Sequence, residues 1–221
     1  MTVQKSKKIN IKRKASYYIL PRDSSLTTGY IYMGRLEKKD LDKQFKKTIL
    51  NTKNLIIDSR NYPNFIYKSL SEILLNEPRD FCIWTYMNLD YPGSIMKKTI
   101  QTGKKNKNYY KGNIYLLVDN TSKSLSEFTV MALQAADNVI TIGGQTAGAD
   151  GDVSYVPMPF GLKSCFSGCG VYYPNGDLTQ QVGVRRDHKV VQDSSYLNGN
   201  DKILNYALEL IRKSKKDNSH F

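Results

Sequence analysis

A chain of 221 residues is long enough for one full domain with a sizeable core, and two complete domains would be a squeeze. Its 40% apolar and 24% charged residues exclude wholesale disorder, and no stretch approaches the roughly 20 consecutive apolar residues of an integral membrane segment. Subtracting 20 acidic from 33 basic residues leaves +13, yet six of the first 14 residues are basic and six more cations lie between Lys97 and Lys111. Charge gathered in tails and loops, and carried by Lys more than by Arg, is read as solvated surface, so no nucleic-acid partner is expected.

In chain order, residues 1–28 are basic and then Ser/Thr-rich, with no sustained period; they are expected to be an arm or a remnant of an upstream domain, followed by a core domain over residues 29–221. The arm has no continuous apolar run of the kind a secretion signal needs, since Tyr17-Tyr18-Ile19-Leu20 is only four residues long. Gly29-Tyr30-Ile31-Tyr32-Met33 reads as a strand, and Asp40 as the N-cap of a helix with Leu41, Phe45 and Ile49 on one face. Asn54-Leu55-Ile56-Ile57-Asp58 has the uniform apolar character of a buried parallel strand. A helix through Ile66, Leu70, Ile73 and Leu74 follows, then a strand over residues 81–86, then a lysine- and glycine-rich stretch of about 25 residues read as a surface insertion.

Residues 113–119 form the strongest strand of the sequence, feeding a turn and a helix through Phe128, Met131, Leu133 and Ala135. Residues 139–142 make another short apolar strand, and glycine-punctuated β segments follow from Gly148. The last element, residues 202–213, sets Ile203, Leu204, Ala207, Leu208 and Ile211 at helical spacing. Alternating strands and helices predict an α/β domain around a central, largely parallel sheet. Cys82, Cys165 and Cys169 cannot all pair with one another and lack a second Cys or His pair at zinc spacing, so no disulfide framework, metal or cofactor is expected.

Ligands of such sheets bind beyond the carboxyl ends of the strands, which directs attention to the turns after Asp58 and Asp119. The second turn, Thr121-Ser122-Lys123-Ser124-Leu125-Ser126-Glu127, gathers hydroxyls and a carboxylate where a strand becomes a helix. A hydroxyl there serves as a cap or as a nucleophile assisted by the following backbone amides. Glu127, three residues after Ser124, fits a capping-box partner. Asp119 is structural or polarises the site. Trp84, Tyr86 and Tyr115 are read as core, and Tyr172 and Tyr173 as candidates to line a cleft.

Leu55-Ile56-Ile57-Asp58-Ser59-Arg60-Asn61-Tyr62-Pro63, Ser124-Leu125-Ser126-Glu127, Thr146-Ala147-Gly148, Tyr173-Pro174-Asn175-Gly176 and Val182-Gly183-Val184-Arg185-Arg186-Asp187 occur in that order. The series resembles the C-terminal-processing (tail-specific) serine peptidases, the superfamily of tricorn protease and the interphotoreceptor retinoid-binding protein, over about residues 29–212. The resemblance implies a Clp-protease/crotonase-like stack of ββα units and a serine-type endopeptidase acting on extended or unfolded polypeptide. It makes Ser124 the nucleophile, with the amides of Leu125 and Asn64 as oxyanion donors; Asn64 stands where the family has a glycine. Counting to the lysine of tail-specific members reaches Ala149, so that base is missing. Tricorn-like members use an upstream histidine, which this chain lacks before Ser124, and a glutamate whose position is Gln180 here.

The base is thus expected on an N-terminal domain outside this chain, or at His188, or nowhere, in which case the chain is a catalytically silent peptide- or ligand-binding module of the same fold. Relatives of this type point to the bacterial periplasm or cell envelope, while the chain shows no export signal, which leaves its compartment open.

Overall fold

A computed structural model describes residues 16–20 and 28–217. The basic segment over residues 1–14 lies outside the described residues. A short strand β1 (Tyr17–Ile19) precedes β2 (Thr28–Tyr32), and α1 (Lys43–Leu50) leads to β3 (Asn54–Asp58). The helix α2 (Tyr67–Leu74) connects to a long hairpin of β4 (Arg79–Met87) and β5 (Ile95–Thr102). Next come β6 (Asn113–Val118), α3 (Leu125–Leu133) and β7 (Val139–Gly143), a second hairpin of β8 (Val153–Pro157) and β9 (Lys163–Ser167), then β10 (Gly170–Tyr172), β11 (His188–Lys189) and α4 (Lys202–Asp217).

Six strands form the central sheet in the order β1, β2, β3, β6, β7, β11. All its pairings are parallel except that of β1 with β2. This is the mostly parallel sheet that the alternation of elements predicts. Parallel strands covered on both faces are apolar throughout, and every residue of β3 is buried. The two-residue period sends Leu55 and Ile57 with Ile114, Leu116 and Val118 into one core, shared with α1, α2 and α3. Ile56, Tyr115 and Leu117 face the opposite core, which Ile203, Ala207 and Ile211 of α4 close.

Three local readings need correction. The helix α1 is capped by Asp42, whose Oδ1 accepts from the Phe45 N–H at 2.7 Å, whereas Asp40 accepts from the Glu37 N–H at 2.9 Å and from the Ser16 hydroxyl at 3.1 Å. Tyr17–Ile19, within the supposed arm, pairs with β2 as an edge strand. The lysine-rich insertion contains β5, which pairs antiparallel with β4 around a turn at Pro92-Gly93. Gly93 supplies the positive φ of 93° that position demands, and the Ser94 N–H closes the turn on the Tyr91 carbonyl at 3.0 Å. A three-stranded sheet of β10, β4 and β5 and the separate β8–β9 hairpin thus stand apart from the central sheet.

Candidate active site

The turn from β6 into α3 is built so that one of its hydroxyls differs from the rest. Ser122 and Ser126 are buried, and both donate to the Ser59 carbonyl, at 2.9 and 2.6 Å. Together they clamp the exit of β3 against the start of α3. Thr121 is consumed locally: its N–H and hydroxyl both reach Asp119 Oδ1, at 2.8 and 2.6 Å, so Asp119 shapes the turn. Ser124 adopts φ 50° and ψ −122° while sharing a capping box with Glu127. A cap takes the extended region, and a positive φ on a residue with a Cβ costs of order 1–3 kcal/mol, so simple capping does not account for this serine. Strand-to-helix turns strained in this way hold a side chain out at the end of a sheet.

The side chain of Ser124 faces a cavity of about 560 Å³. Its walls are largely aromatic: Tyr62, Phe65, Tyr67, Trp84, Tyr86 and Phe128, with Ile100 and Leu125. Phe128 anchors them, standing edge-on to Tyr67 at 5.2 Å and to Trp84 at 5.6 Å between centroids. Trp84 and Tyr86, expected in the core, therefore line the site, because the β4–β5 hairpin stands beside α3 and not within the central sheet. Tyr115 is buried in the α4-side core as expected. Tyr172 borders a neighbouring hollow. Tyr173 is locked beneath Arg185: its hydroxyl donates to Gln134 Oε1 at 2.7 Å and accepts from the Arg185 N–H at 3.0 Å. Burial pushes its phenol up to about 12.

One of the two expected backbone amides is placed at this cavity. Leu125 is the first residue of α3, and the first intrahelical bond is donated only by Phe128, to the Ser124 carbonyl at 3.0 Å. Its N–H thus belongs to the first-turn amides that a helix leaves without an internal acceptor. Asn64 does not itself line the cavity, although its neighbours Tyr62 and Phe65 do. Its Nδ2 donates to the Leu36 carbonyl at 2.9 Å, which fixes the loop. Asn64 is not among the residues with positive φ, so the conformational freedom of a glycine is not required there.

Glu127 does more than complete a cap. It is fully buried, and its carboxylate accepts from the Ser124 N–H at 3.2 Å, the Thr146 hydroxyl at 2.6 Å, the Gly148 N–H at 2.8 Å and the Ala149 N–H at 2.9 Å. Four donors satisfy a buried charge that would otherwise be prohibitive. Thr146 in turn accepts from the Val184 N–H at 3.0 Å. The Thr-Ala-Gly and Gly-Val segments of the sequence are thereby fastened to the first turn of α3.

That fastening carries Asp150 and Asp152 into the cavity wall with Ser124. Asp150 is 3% exposed; its Oδ1 accepts from the Gly151 N–H at 2.8 Å, while the buried Oδ2 has no hydrogen-bond partner among the described residues. Burial pushes its carboxyl up to about 7, with the carboxylates of Glu127 and Asp152 adding to the rise and the Gly151 N–H opposing it. Sequence reasoning missed this residue. A single aspartate in a Gly-rich loop has no periodicity to mark it, and the loop's attachment through Glu127 brings it to the cavity that Ser124 also lines.

The remaining candidates lie elsewhere. Gln180 is spent on the backbone: its Nε2 donates to the carbonyls of Asp150 and Cys169 at 2.9 and 2.8 Å, and its Oε1 accepts from the Val171 N–H at 3.3 Å. His188 sits on β11 with Nδ1 at 3.1 Å from the Tyr206 hydroxyl, against α4, on the other face of the sheet from α3. The structure does not bring it to Ser124. The turn after Asp58 is equally committed, since Arg60 bridges Asp58 and Asp201 at 2.9 and 2.7 Å. Among the described residues, no three His, Cys, Asp or Glu side chains are grouped to hold a metal ion, and no helix is long and apolar enough to cross a membrane.

The family model "Peptidase family S41" matches residues 27–190. No match is found among curated proteins. Among solved structures, a candidate peptidase from Parabacteroides merdae is similar at TM-score 0.74 and 20% identity, over 88% of this chain and 63% of that one. Mature CPAF complexed with lactacystin is similar at TM-score 0.62 and 16% identity, over 78% of this chain and 49% of its own. The photosystem II D1 C-terminal processing protease is similar at TM-score 0.56 and 14% identity, over 78% and 44% of the two chains. At these identities the likeness speaks for the fold, and the present chain spans less than two thirds of the length of each.

Proposed function

This chain belongs to peptidase family S41, and from that premise we propose that it is a serine-type endopeptidase core whose Ser124 is acylated by an extended or unfolded polypeptide. The observation that carries the reading is the strained backbone of Ser124, φ 50° in the lining of an aromatic cavity, in a turn where the hydroxyls of Thr121, Ser122 and Ser126 all donate to protein acceptors. Evolution tolerates such strain where geometry serves chemistry. In the reaction, Ser124 Oγ attacks the scissile carbonyl, and the amide of Leu125 holds the oxyanion that forms. The aromatic walls take an apolar side chain next to the cleaved bond. The strand β5 is an edge of its three-stranded sheet and contributes Ile100 and Lys98 to the cavity, so an extended chain binds by adding a strand there.

One observation favours a second reading, the silent binding module: among the described residues no imidazole or ammonium group is hydrogen-bonded to Ser124. A fluorophosphonate probe separates the two. The peptidase reading expects covalent labelling of Ser124, found by mass spectrometry, and its loss in Ser124→Ala. Absence of labelling in a folded chain that still binds an unfolded polypeptide would establish the binding module instead.

A further inference from the structure

Among the described residues, no other strand pairs with the β8–β9 hairpin, and two strands alone are marginal in water. Val153, Tyr155, Val156, Met158, Leu162 and Phe166 of this hairpin are all exposed, and Phe160 at its tip is 98% exposed. Phe160 also holds φ 62°, a strained conformation for a bulky side chain. We propose that a second copy of this chain docks here: β9 of each protomer pairs antiparallel with β9 of the other about a two-fold axis at Cys165, and Phe160 of each enters a hollow of the other.

The register decides which edge pairs. The Gly168 N–H donates to the Asp152 carbonyl at 3.0 Å and the Met158 N–H to the Leu162 carbonyl at 2.9 Å. By the alternation of an antiparallel ladder, the backbone polar groups of Lys163, Cys165 and Ser167 then point outward on β9, and those of Val153, Tyr155 and Pro157 outward on β8. Pro157 has no N–H to offer, which blunts the β8 edge, whereas β9 presents a full set. Identical antiparallel strands are self-complementary about a two-fold axis, and Cys165 is the middle residue of β9. Centring there forms about six interchain hydrogen bonds. It also sets Lys163 opposite Ser167 of the partner subunit, so the two ammonium groups do not face each other.

Charge, area and shape each point to a second copy as the occupant. The chain carries +13, yet Lys163 is the only charged residue between Val153 and Gly176, so two copies meet here without the repulsion of their basic surfaces. Tyr155, Phe160 and Phe166 alone expose on the order of 400 Å², about half of the roughly 800 Å² that each partner buries in a stable interface. The aliphatic side chains of the hairpin add to that area. The same register runs the tip of one hairpin alongside residues 168–170 of the other protomer, which border a hollow of about 660 Å³ walled also by Tyr86, Met87, Ile95 and Leu178. Tip and hollow thus meet twice in one symmetric contact. None of this depends on the role of Ser124.

Sedimentation velocity of the 221-residue chain from about 1 to about 100 µM tests the proposal. The wild type should pass from monomer to dimer as concentration rises. Phe160→Ser, and separately Ser167→Pro, which removes an outward N–H and no bond within the hairpin, should each raise the dimer dissociation constant about 30-fold or more with an unchanged circular dichroism spectrum. Oxidation by copper phenanthroline should join the two Cys165 thiols, because directly opposed residues of such a pair lie about 5.5 Å apart between Cα atoms, within disulfide reach. The cross-link, found by mass spectrometry, should vanish in Cys165→Ser and persist in Cys169→Ser. A chain that stays monomeric across the range, a dimer indifferent to both edge and tip substitutions, or a dimer whose cross-link omits Cys165 overturns the proposal. A monomer that binds unfolded polypeptide more weakly as Phe160→Ser overturns it too, and gives the hairpin to substrate.

Discussion

The positive φ of Ser124 and the burial of Asp150 each cost stability, and each cost can be measured. Replacing Ser124 by Gly removes the Cβ that makes φ 50° unfavourable, whereas Ala keeps it. Ser124→Gly should therefore be more stable than Ser124→Ala by about 1 kcal/mol in urea denaturation, reversing the usual order of the two residues. Equal stabilities would show that the strain is absent. Asp150 ionises near 3.9 when unfolded, but only at about 7 when folded. Between these values the native state holds a proton that the unfolded chain has released, so stability falls as pH rises through the window. At 1.36 kcal/mol per unit the loss reaches about 4 kcal/mol above pH 7. Asp150→Asn should thus raise the melting temperature at pH 8 and leave it unchanged near pH 4; a pH-independent difference would contradict the shift.

Among elements, the first turn of α3 organises the site through its acidic and hydroxyl side chains. Glu127→Ala would strand the amides of Ser124, Gly148 and Ala149 and the Thr146 hydroxyl. At about 1–3 kcal/mol for each buried donor left unpaired, the loss should exceed about 3 kcal/mol, and hydrogen exchange should quicken over residues 146–151 before it does in β6. Unaltered protection of that segment would mean that something else holds it. The capping role of Glu127 was legible from its spacing to Ser124, because such a box is a local pattern. Its bonds to the 146–149 segment were not, since they span about twenty residues of sequence. The strand β5 escaped notice for a different reason: most of its residues are exposed on both faces, so it carries none of the one-sided alternation by which strands are recognised. Pro92-Gly93 and the β-branched Thr99, Ile100 and Thr102 were the available signals.

Across the whole molecule, Arg60 ties the two layers together by joining Asp58 at the end of β3 to Asp201 at the start of α4. The guanidinium is nearly inaccessible, and its pairing with both carboxylates keeps it charged despite burial. Arg60→Met should destabilise by roughly 3–5 kcal/mol, because two carboxylates are left buried without their cation. Chemical denaturation of that variant beside Arg60→Met combined with Asp58→Asn and Asp201→Asn measures the effect. The triple variant should recover much of the loss, and no recovery would show that the ions are not what the single change disturbs.

Short-range physics determined a good deal of this protein from its sequence alone. Short apolar runs specified the parallel strands β3, β6 and β7, helical spacing specified α2, α3 and α4, and the hydroxyl-rich turn pointed to Ser124, which borders the aromatic cavity. What the tertiary structure decided is which side chains meet there. Gln180 was drawn into backbone hydrogen bonds, the sheet came between His188 and Ser124, and the β4–β5 hairpin turned Trp84 and Tyr86 into cavity wall. Asp150 joined the wall of the cavity that Ser124 lines, through a loop held by Glu127 more than twenty residues away. Such pairings depend on how separate segments pack in three dimensions, and periodicity along the chain holds no record of that packing.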